Sequence, residues 1–483
     1  MIIGIDIGTQ ALKVVVTDEV LNVLGEASAG YETRYPRPGW AEQSPSQWEQ
    51  ALAQAMPKAL AEANVKPRAI KALGVAGQLD GCLAVEHHGL PLTPCLVWMD
   101  RRATLGPNAP HPRILRRIAG INPDPSHQAA KIRWLIDHTP ECEFACKFHQ
   151  PVSYLVSRLT GEHVFDHGLA STTMLYSLEK REYDGELLES FGINPAKLPA
   201  IRDADTLAGK LTAAGASLTG LKPGVAVAVG TGDDFSSPLG AGLTRPDGTV
   251  ACVLGTAEVV GAVHAVPRID TKGLVETHGY MGGAWFIENP GWLSGGALTW
   301  LIKTCRLKDA KELSALAAQA PAGADGLLFL PALSGAMAPE WIATARGCFY
   351  GLTPAHDTAR LARAVMEGCA FAMRDVVTRL RALRVPIDNA LLLGGGARSA
   401  VWAQIRADIT GMPIRRPKRV DTSPLGAAML AAVAARILPD LQTGADLVRS
   451  RFLEHAPNPG NKSLYDDAYN SYHKLFNCLR PFY

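Results

Sequence analysis

Asp6-Ile7-Gly8-Thr9, followed by Lys13, brings together the groups a phosphate needs when it approaches a main chain. Gly8 removes the side-chain obstacle, the N–H groups of the turn form an anion-binding concavity, and the Thr9 hydroxyl adds a donor. An aspartate just before such a turn can hold Mg2+ through waters, because that ion dehydrates reluctantly. The same letters occur in ordinary hairpins, so the segment alone leaves both readings open. It has a counterpart in the second half of the chain, Leu254-Gly255-Thr256. Two such turns facing one another would grip a phosphate chain from both sides.

A second constellation closes the apolar run 225–229, which ends in Gly230-Thr231-Gly232-Asp233-Asp234. Paired carboxylates at the end of a buried strand lie where ligand clefts form in α/β sheets. One of them could cap the following helix while the other faces the cleft. Phosphoryl transfer to a hydroxyl needs a carboxylate of this kind to orient the attacking oxygen and take its proton. Gly394-Gly395-Gly396-Ala397-Arg398-Ser399 reads as a strand-to-helix loop nearly free of side chains. It would let a flat base or a ribose approach the backbone, and it would equally serve as a tight turn. Gly77-Gln78-Leu79-Asp80-Gly81 and Trp98-Met99-Asp100-Arg101-Arg102 each follow an apolar strand. Their amide, carboxylate and guanidinium groups suit a polyhydroxylated ligand, although Asp100 and the arginines would also make an ion network. The chain holds neither GxxxxGK[ST] nor GxGxxG, which disfavours P-loop and dinucleotide-binding chemistry.

The elements that must carry these residues are legible as an alternation of strands and helices. Residues 2–7 and 12–17 are β-branched runs on either side of Gly8-Thr9-Gln10, and 250–254 with 258–264 repeat the arrangement. The turn-like Arg245-Pro246-Asp247-Gly248 lies just ahead of the second hairpin. We expect two domains, 1–243 and 244–483, that duplicate one design. The last helix is expected to pack back on the first. Residues 46–63, 131–137, 152–159, 359–383 and 402–409 show helical spacing, and 69–75, 82–85 and 391–393 read as strands. The expected class is α/β, with helix-covered sheets.

Composition narrows the functions. A chain of 483 residues exceeds what one core usually supports, and 47% hydrophobic with 19% charged residues is an ordinary globular balance. The 48 Lys and Arg nearly cancel the 46 Asp and Glu, so no strong field draws nucleic acid or anionic membrane. The nine cysteines are scattered, several inside apolar runs, as reduced buried thiols are. The opening MIIGIDIGT lacks a basic lead-in and reads as a strand, and no apolar run reaches membrane-spanning length. The expected residence is cytoplasmic and the expected partner a neutral or weakly charged small molecule.

Taken together the motifs resemble the FGGY carbohydrate kinases. Asp6 to Thr9 with Lys13, Trp40-Ala41-Glu42-Gln43 before a helix with Trp48, Gly77-Gln78, Trp98 with Asp100, Gly232-Asp233, Leu254-Gly255-Thr256 and Leu393 to Ser399 follow that family's order along nearly the whole chain. The stretches 126–138 and 347–367 resemble its two signatures, departing at Gln128 and Arg360. The resemblance implies two ribonuclease-H-like domains of the actin and hexokinase type, closing on a sugar or polyol and ATP with Mg2+, the sugar side in the first domain and the nucleotide side in the second. By motif position Asp233 is then the catalytic base, and Asp6 and Asp233 hold the metal. Gly8, Thr9, Lys13, Gly255 and Thr256 contact phosphates, and Gly394, Gly395, Gly396 and Ser399 face the adenosine. Gln78, Leu79, Asp80, Asp100, Asp233 and Asp234 line the sugar pocket, and a homodimer is left open.

Within the family the likeness is greatest to the xylulose kinases, which implies phosphorylation of a ketopentose, D-xylulose to xylulose 5-phosphate first. Two departures fall in the pocket: Leu79-Asp80 where those enzymes carry Met-His, and Asp234 where they carry Asn. An acid at position 80 is reminiscent of polyol kinases, so ribulose, a pentitol, erythritol or glycerol stand as alternatives. An actin- or chaperone-like ATP switch would share the hairpins and the glycine loop. It has no use for Gln78-Leu79-Asp80, Trp98-Met99-Asp100 or the acidic pair.

Overall fold

The computed structural model describes residues 1–418, 421–449 and 452–483. Two seven-stranded mixed sheets form its frame. In the first, Ile2–Ile7 pairs antiparallel with Ala11–Thr17, which pairs with Val23–Gly30. On its other side Ile2–Ile7 runs parallel to Ala72–Gly77, and beyond that come Ala226–Ala228 and an antiparallel edge strand, Leu207–Lys210. Thr231–Gly232 also pairs with Ala72–Gly77.

The second sheet repeats this plan. Thr249–Leu254, Ala257–His264 and Trp285–Leu293 form the antiparallel meander, Asn389–Leu393 and Ile414–Pro417 add in parallel, and Phe452–His455 closes the edge antiparallel. Glu276–Gly279 is an additional strand on the meander side. A three-stranded meander, two parallel strands and a reversed edge strand therefore occur twice, in the same order. The sheets part between the helix Asp233–Gly240 and Thr249.

Pleating sorts the first sheet into two faces. Ile3, Ile5 and Ile7 with Leu73 and Val75 fill one face, and all are buried. The opposite face carries the small residues Gly4, Ala72, Gly74 and Ala76. Onto it sits the helix Ser423–Ala434, so closely that a Cβ on Gly4 would lie 1.7 Å from the Pro424 carbonyl oxygen and one on Gly74 2.0 Å from that of Ala427. Only glycine permits a helix backbone this near a strand.

This is the point where the expected packing fails. The segment that returns to the first core is Ser423–Ala434, whereas the terminal helix Lys462–Cys478 buries Tyr465, Tyr472 and Phe476 in the second core. The reason lies in composition: Ser423–Ala434 is alanine-rich and buried on nearly every side, while the terminal helix is amphipathic with a single aromatic stripe. Helix bounds otherwise shift by one to three residues, as with Pro45–Glu62, Gln128–His138, Pro151–Thr160 and Thr358–Ala382. All nine cysteines are free thiols. Among the described residues no helix is long and apolar enough to cross a membrane.

Candidate active site

A cavity of about 460 Å3 opens between the two sheets, and both glycine-threonine turns reach it. Thr9 and Gln10 come from the first hairpin, Gly255, Thr256 and Ala257 from the second, and Asp233 and Asp234 lie on the wall. Each turn is closed in the same way. The Gly8 N–H donates to the Ala11 carbonyl at 3.1 Å, and the Gly255 N–H to the Ala257 carbonyl at 2.9 Å.

Their surroundings differ. The Gly8 carbonyl accepts from the Tyr31 hydroxyl, the Thr9 carbonyl from Gln43 Nε2 at 2.7 Å, and the Thr9 hydroxyl from Trp98 Nε1 at 3.1 Å. An indole N–H can only donate, so Thr9 Oγ1 must be the acceptor and its own proton remains available to a ligand oxygen. The Thr256 side chain is exposed, and among the described residues only its carbonyl is hydrogen-bonded, by the Gly296 N–H at 2.9 Å.

Asp6 stands at the end of the small-residue face, directly across the strands from Lys13, and its Oδ1 is buried without a partner. Burial raises its carboxyl above the ordinary range, with Lys13 and Ser423 pulling the other way. Lys13 also pairs with Asp421 at 2.6 Å. Gly232 occupies the N-cap of Asp233–Gly240, so neither aspartate caps and both carboxylates project from the first helical turn. Burial pushes Asp233 well up, and the neighbouring carboxylates Asp234 and Asp6 push it further. Asp234 is raised to about 7, by burial and then by Asp80. A buried, unpartnered carboxylate oxygen facing a second carboxylate is a hard-oxygen pair that suits Mg2+, which binds through one or two carboxylates, waters and phosphates.

Another part of the cavity wall is built around Asp80, whose φ of 55° lies in the left-handed region. The conformation is held at both ends: Gln150 Oε1 accepts from its N–H at 3.0 Å, and the wholly buried Lys131 donates to its carbonyl at 2.6 Å and to that of Val97 at 2.8 Å. Burial lowers the Lys131 pKa. His127 Nδ1 sits 3.2 Å from both Asp80 oxygens. Burial alone would lower that imidazole, but the Asp80 carboxylate outweighs it and raises it to about 9. Gln78 and Leu79 line the same wall; Gln78 donates to Gln43 and keeps its own Oε1 unpartnered.

Asp100 does not belong there. It is 0% exposed, and its carboxylate accepts from the Ala41 N–H at 2.6 Å and from the Arg102 guanidinium at 2.7 to 3.0 Å. Every lone pair it could offer a sugar is taken, so the ion-network reading of Asp100 replaces the pocket reading. Gly394, Gly395, Gly396 and Ser399 do not line the cavity but adjoin the second turn. Gly394 and Gly396 lie against Leu254, Gly395 faces open space, and Ser399 caps Ala400–Thr410 through the Trp402 N–H at 3.2 Å.

The second domain adds residues that the motif reading missed: Glu276, His278 and Glu288, each at most 2% exposed and each on the cavity wall. Glu276 and Glu288 are direct cross-strand neighbours, with His278 Nε2 at 3.8 Å from one and 3.4 Å from the other. Like charges placed so are destabilising. Burial accordingly raises Glu276 to about 7 and Glu288 well above the carboxylate range, and lowers His278 to about 3. The available signal was Glu276 and His278 two residues apart on one strand face.

Comparison with known proteins agrees with this geometry. Residues 1–240 match the FGGY family of carbohydrate kinases, N-terminal domain, and residues 250–435 match its C-terminal domain. The xylulose kinase of Escherichia coli (strain K12) is 31% identical over 492 residues, covering 100% of this chain and 99% of that protein. The glycerol kinase of Thermococcus onnurineus (strain NA1) is also 31% identical, over 90% of this chain and 89% of its own. The crystal structure of a xyloylose kinase from Brucella ovis superposes with a TM-score of 0.91 at 30% identity, covering 100% of both chains. With both domain patterns matched in order and full-length relatives at this identity, the chain belongs to the FGGY family of carbohydrate kinases.

Proposed function

We propose that the protein transfers the γ-phosphoryl group of ATP to a primary hydroxyl of a neutral ketopentose, D-xylulose before others. The reading rests on one observation: Thr9, Thr256 and Asp233 share a single cavity whose far end is lined by Asp80, Asp234, Glu276 and Glu288. The raised carboxyl groups of Asp234, Glu276 and Glu288 both accept from and donate to the hydroxyls of an uncharged sugar.

In this mechanism Asp233 accepts the proton of the attacking hydroxyl as its oxygen bonds phosphorus. Its raised pKa brings it toward working pH, as a general base requires. Thr9 and Thr256 donate to phosphate oxygens from opposite sides, and the turn N–H groups add to them. Asp6 and Asp233 would hold Mg2+, which supplies positive charge against the phosphate oxygens. Asp80, fixed by Lys131, His127 and Gln150, orients the acceptor so that one hydroxyl lies in line. Domain closure excludes water, the competing acceptor.

Asp80 also supports a second reading, in which the acceptor is a polyol such as glycerol or a tetritol, because an ion-paired carboxylate at that position suits a chain of hydroxyls. ADP release measured against D-xylulose, ribulose, pentitols, tetritols and glycerol separates the two. We expect D-xylulose to give the highest kcat/KM by about tenfold, a margin of about 1.4 kcal/mol. A lead for glycerol or a tetritol transfers the assignment to the polyol reading.

A further inference from the structure

We propose that the protein carries a second ligand site, for a small organic phosphate, in the cavity on the other side of Asp124 and Trp341 from the substrate cleft. Those two residues line both spaces. The second cavity measures about 890 Å3 and is walled by both domains, with Arg116 from the first and Lys272, Arg379 and Tyr469 from the second.

Its charges identify the ligand. Asp124 is paired with Arg101 at 2.6 Å, Glu340 with Arg480, Arg379 with Asp270, and Asp375 accepts from Tyr469 and His473. Among the described residues of this cavity, Arg116 and Lys272 alone have no carboxylate partner. The single hydrogen bond of the Arg116 side chain runs from Nε to Asn122 Oδ1 at 2.8 Å. The two residues also lie close together along the cavity wall. A Cβ built on Gly273, the residue after Lys272, would lie 2.8 Å from Arg116 Nη2. Two cationic residues from different domains thus line one cavity with no carboxylate paired to either, and an anion bound there gains from both. A guanidinium fork beside an ammonium suits phosphate. The rings of Trp341 and Tyr469 and a volume within the range of small-molecule sites provide for an organic body of sugar size.

Binding there reaches the substrate cleft through Asn122. Its backbone N–H donates to Glu276 Oε1 at 2.7 Å and its side chain to the Gly273 carbonyl at 3.0 Å, while the Thr277 N–H donates to the Gly120 carbonyl at 3.0 Å. An anion shared by Arg116 and Lys272 therefore ties together the two domains whose closure the reaction needs, and biases that equilibrium.

Calorimetric titration of D-ribose 5-phosphate into the full-length protein, with the cleft saturated by ADP and the preferred acceptor, tests the site. One binding event is expected, weakened about tenfold in Arg116→Gln and in Lys272→Gln and weakened further by added salt. The exposed Lys272 makes no side-chain contact to the reacting groups, so Lys272→Gln keeps turnover without the phosphate within about twofold, and it carries the comparison alone if Arg116→Gln fails to fold. The proposal is overturned if the wild type does not bind, if both variants bind as it does, or if binding requires an empty cleft, which would mark the probe as product re-entering the catalytic site. Inorganic phosphate binding as tightly as ribose 5-phosphate overturns the organic part.

Discussion

Thr9 is held by Gln43, Trp98 and, through Gly8, Tyr31, whereas Thr256 stands in solvent with a single backbone contact. Both turns have the same frame, so the difference lies in what the rest of each domain builds around it. The first turn adjoins Asp6 and the acceptor end, where geometry must be correct before any substrate arrives. Under the proposed function the second is left for nucleotide binding and closure to order, so that one half of the phosphate grip is preorganised and the other adaptable.

The comparison can be broken at several points. Asp233→Ala, which removes the group between the turns, should lower turnover by about 1,000-fold while an ATP analogue still binds within a few-fold. Near-normal turnover would dissolve the site altogether. Thr9→Val and Thr256→Val should each cost about 10- to 100-fold in kcat/KM, the worth of a hydrogen bond to a charged phosphate. Only Thr9→Val should also melt earlier, because it leaves the Trp98 indole N–H without its acceptor, a loss of about 1–3 kcal/mol. Equal melting temperatures for the two variants would erase the contrast. Tyr31→Phe should act more weakly, lowering kcat a few-fold by loosening the Gly8 carbonyl.

The smallest effect concerns pH. Asp234 has a folded pKa of about 7 against an ordinary 3.8, so the native state binds a proton that the unfolded chain does not. The stability this gives is fully present below the unfolded value and is lost as pH rises through about 7. Asp234→Asn should therefore melt about 2 °C higher than wild type at pH 8 without ligands and equal to it below pH 4. The same melting difference at both pH values would show that Asp234 is not held protonated.

Much of the frame was legible because it is local. The two hairpins announce themselves by β-branched runs broken at Gly8 and Gly255, and Asp233 by its place after a buried strand. For Asp100 the residues themselves offered an ion network with the adjacent arginines and the family resemblance offered the pocket; the fold turns Arg102 back onto it and gives the network. Glu276, His278 and Glu288 were legible only as a carboxylate and an imidazole alternating along one strand, with a second carboxylate further on. Their meaning depends on a strand pairing that puts residue 276 opposite residue 288. The helix that covers Gly4 could not be predicted either, because it lies more than 400 residues further along the chain.

That covering helix makes the duplication less separable than two repeated sheets suggest. A polypeptide ending near residue 243 would leave Gly4 and Gly74 bare and Asp6 open to water on the side where Ser423 stands. The later half supplies part of the earlier half's interior, so the two behave as obligate complements. Expressed as separate pieces, they should recover a functional Asp6 only on reassociation.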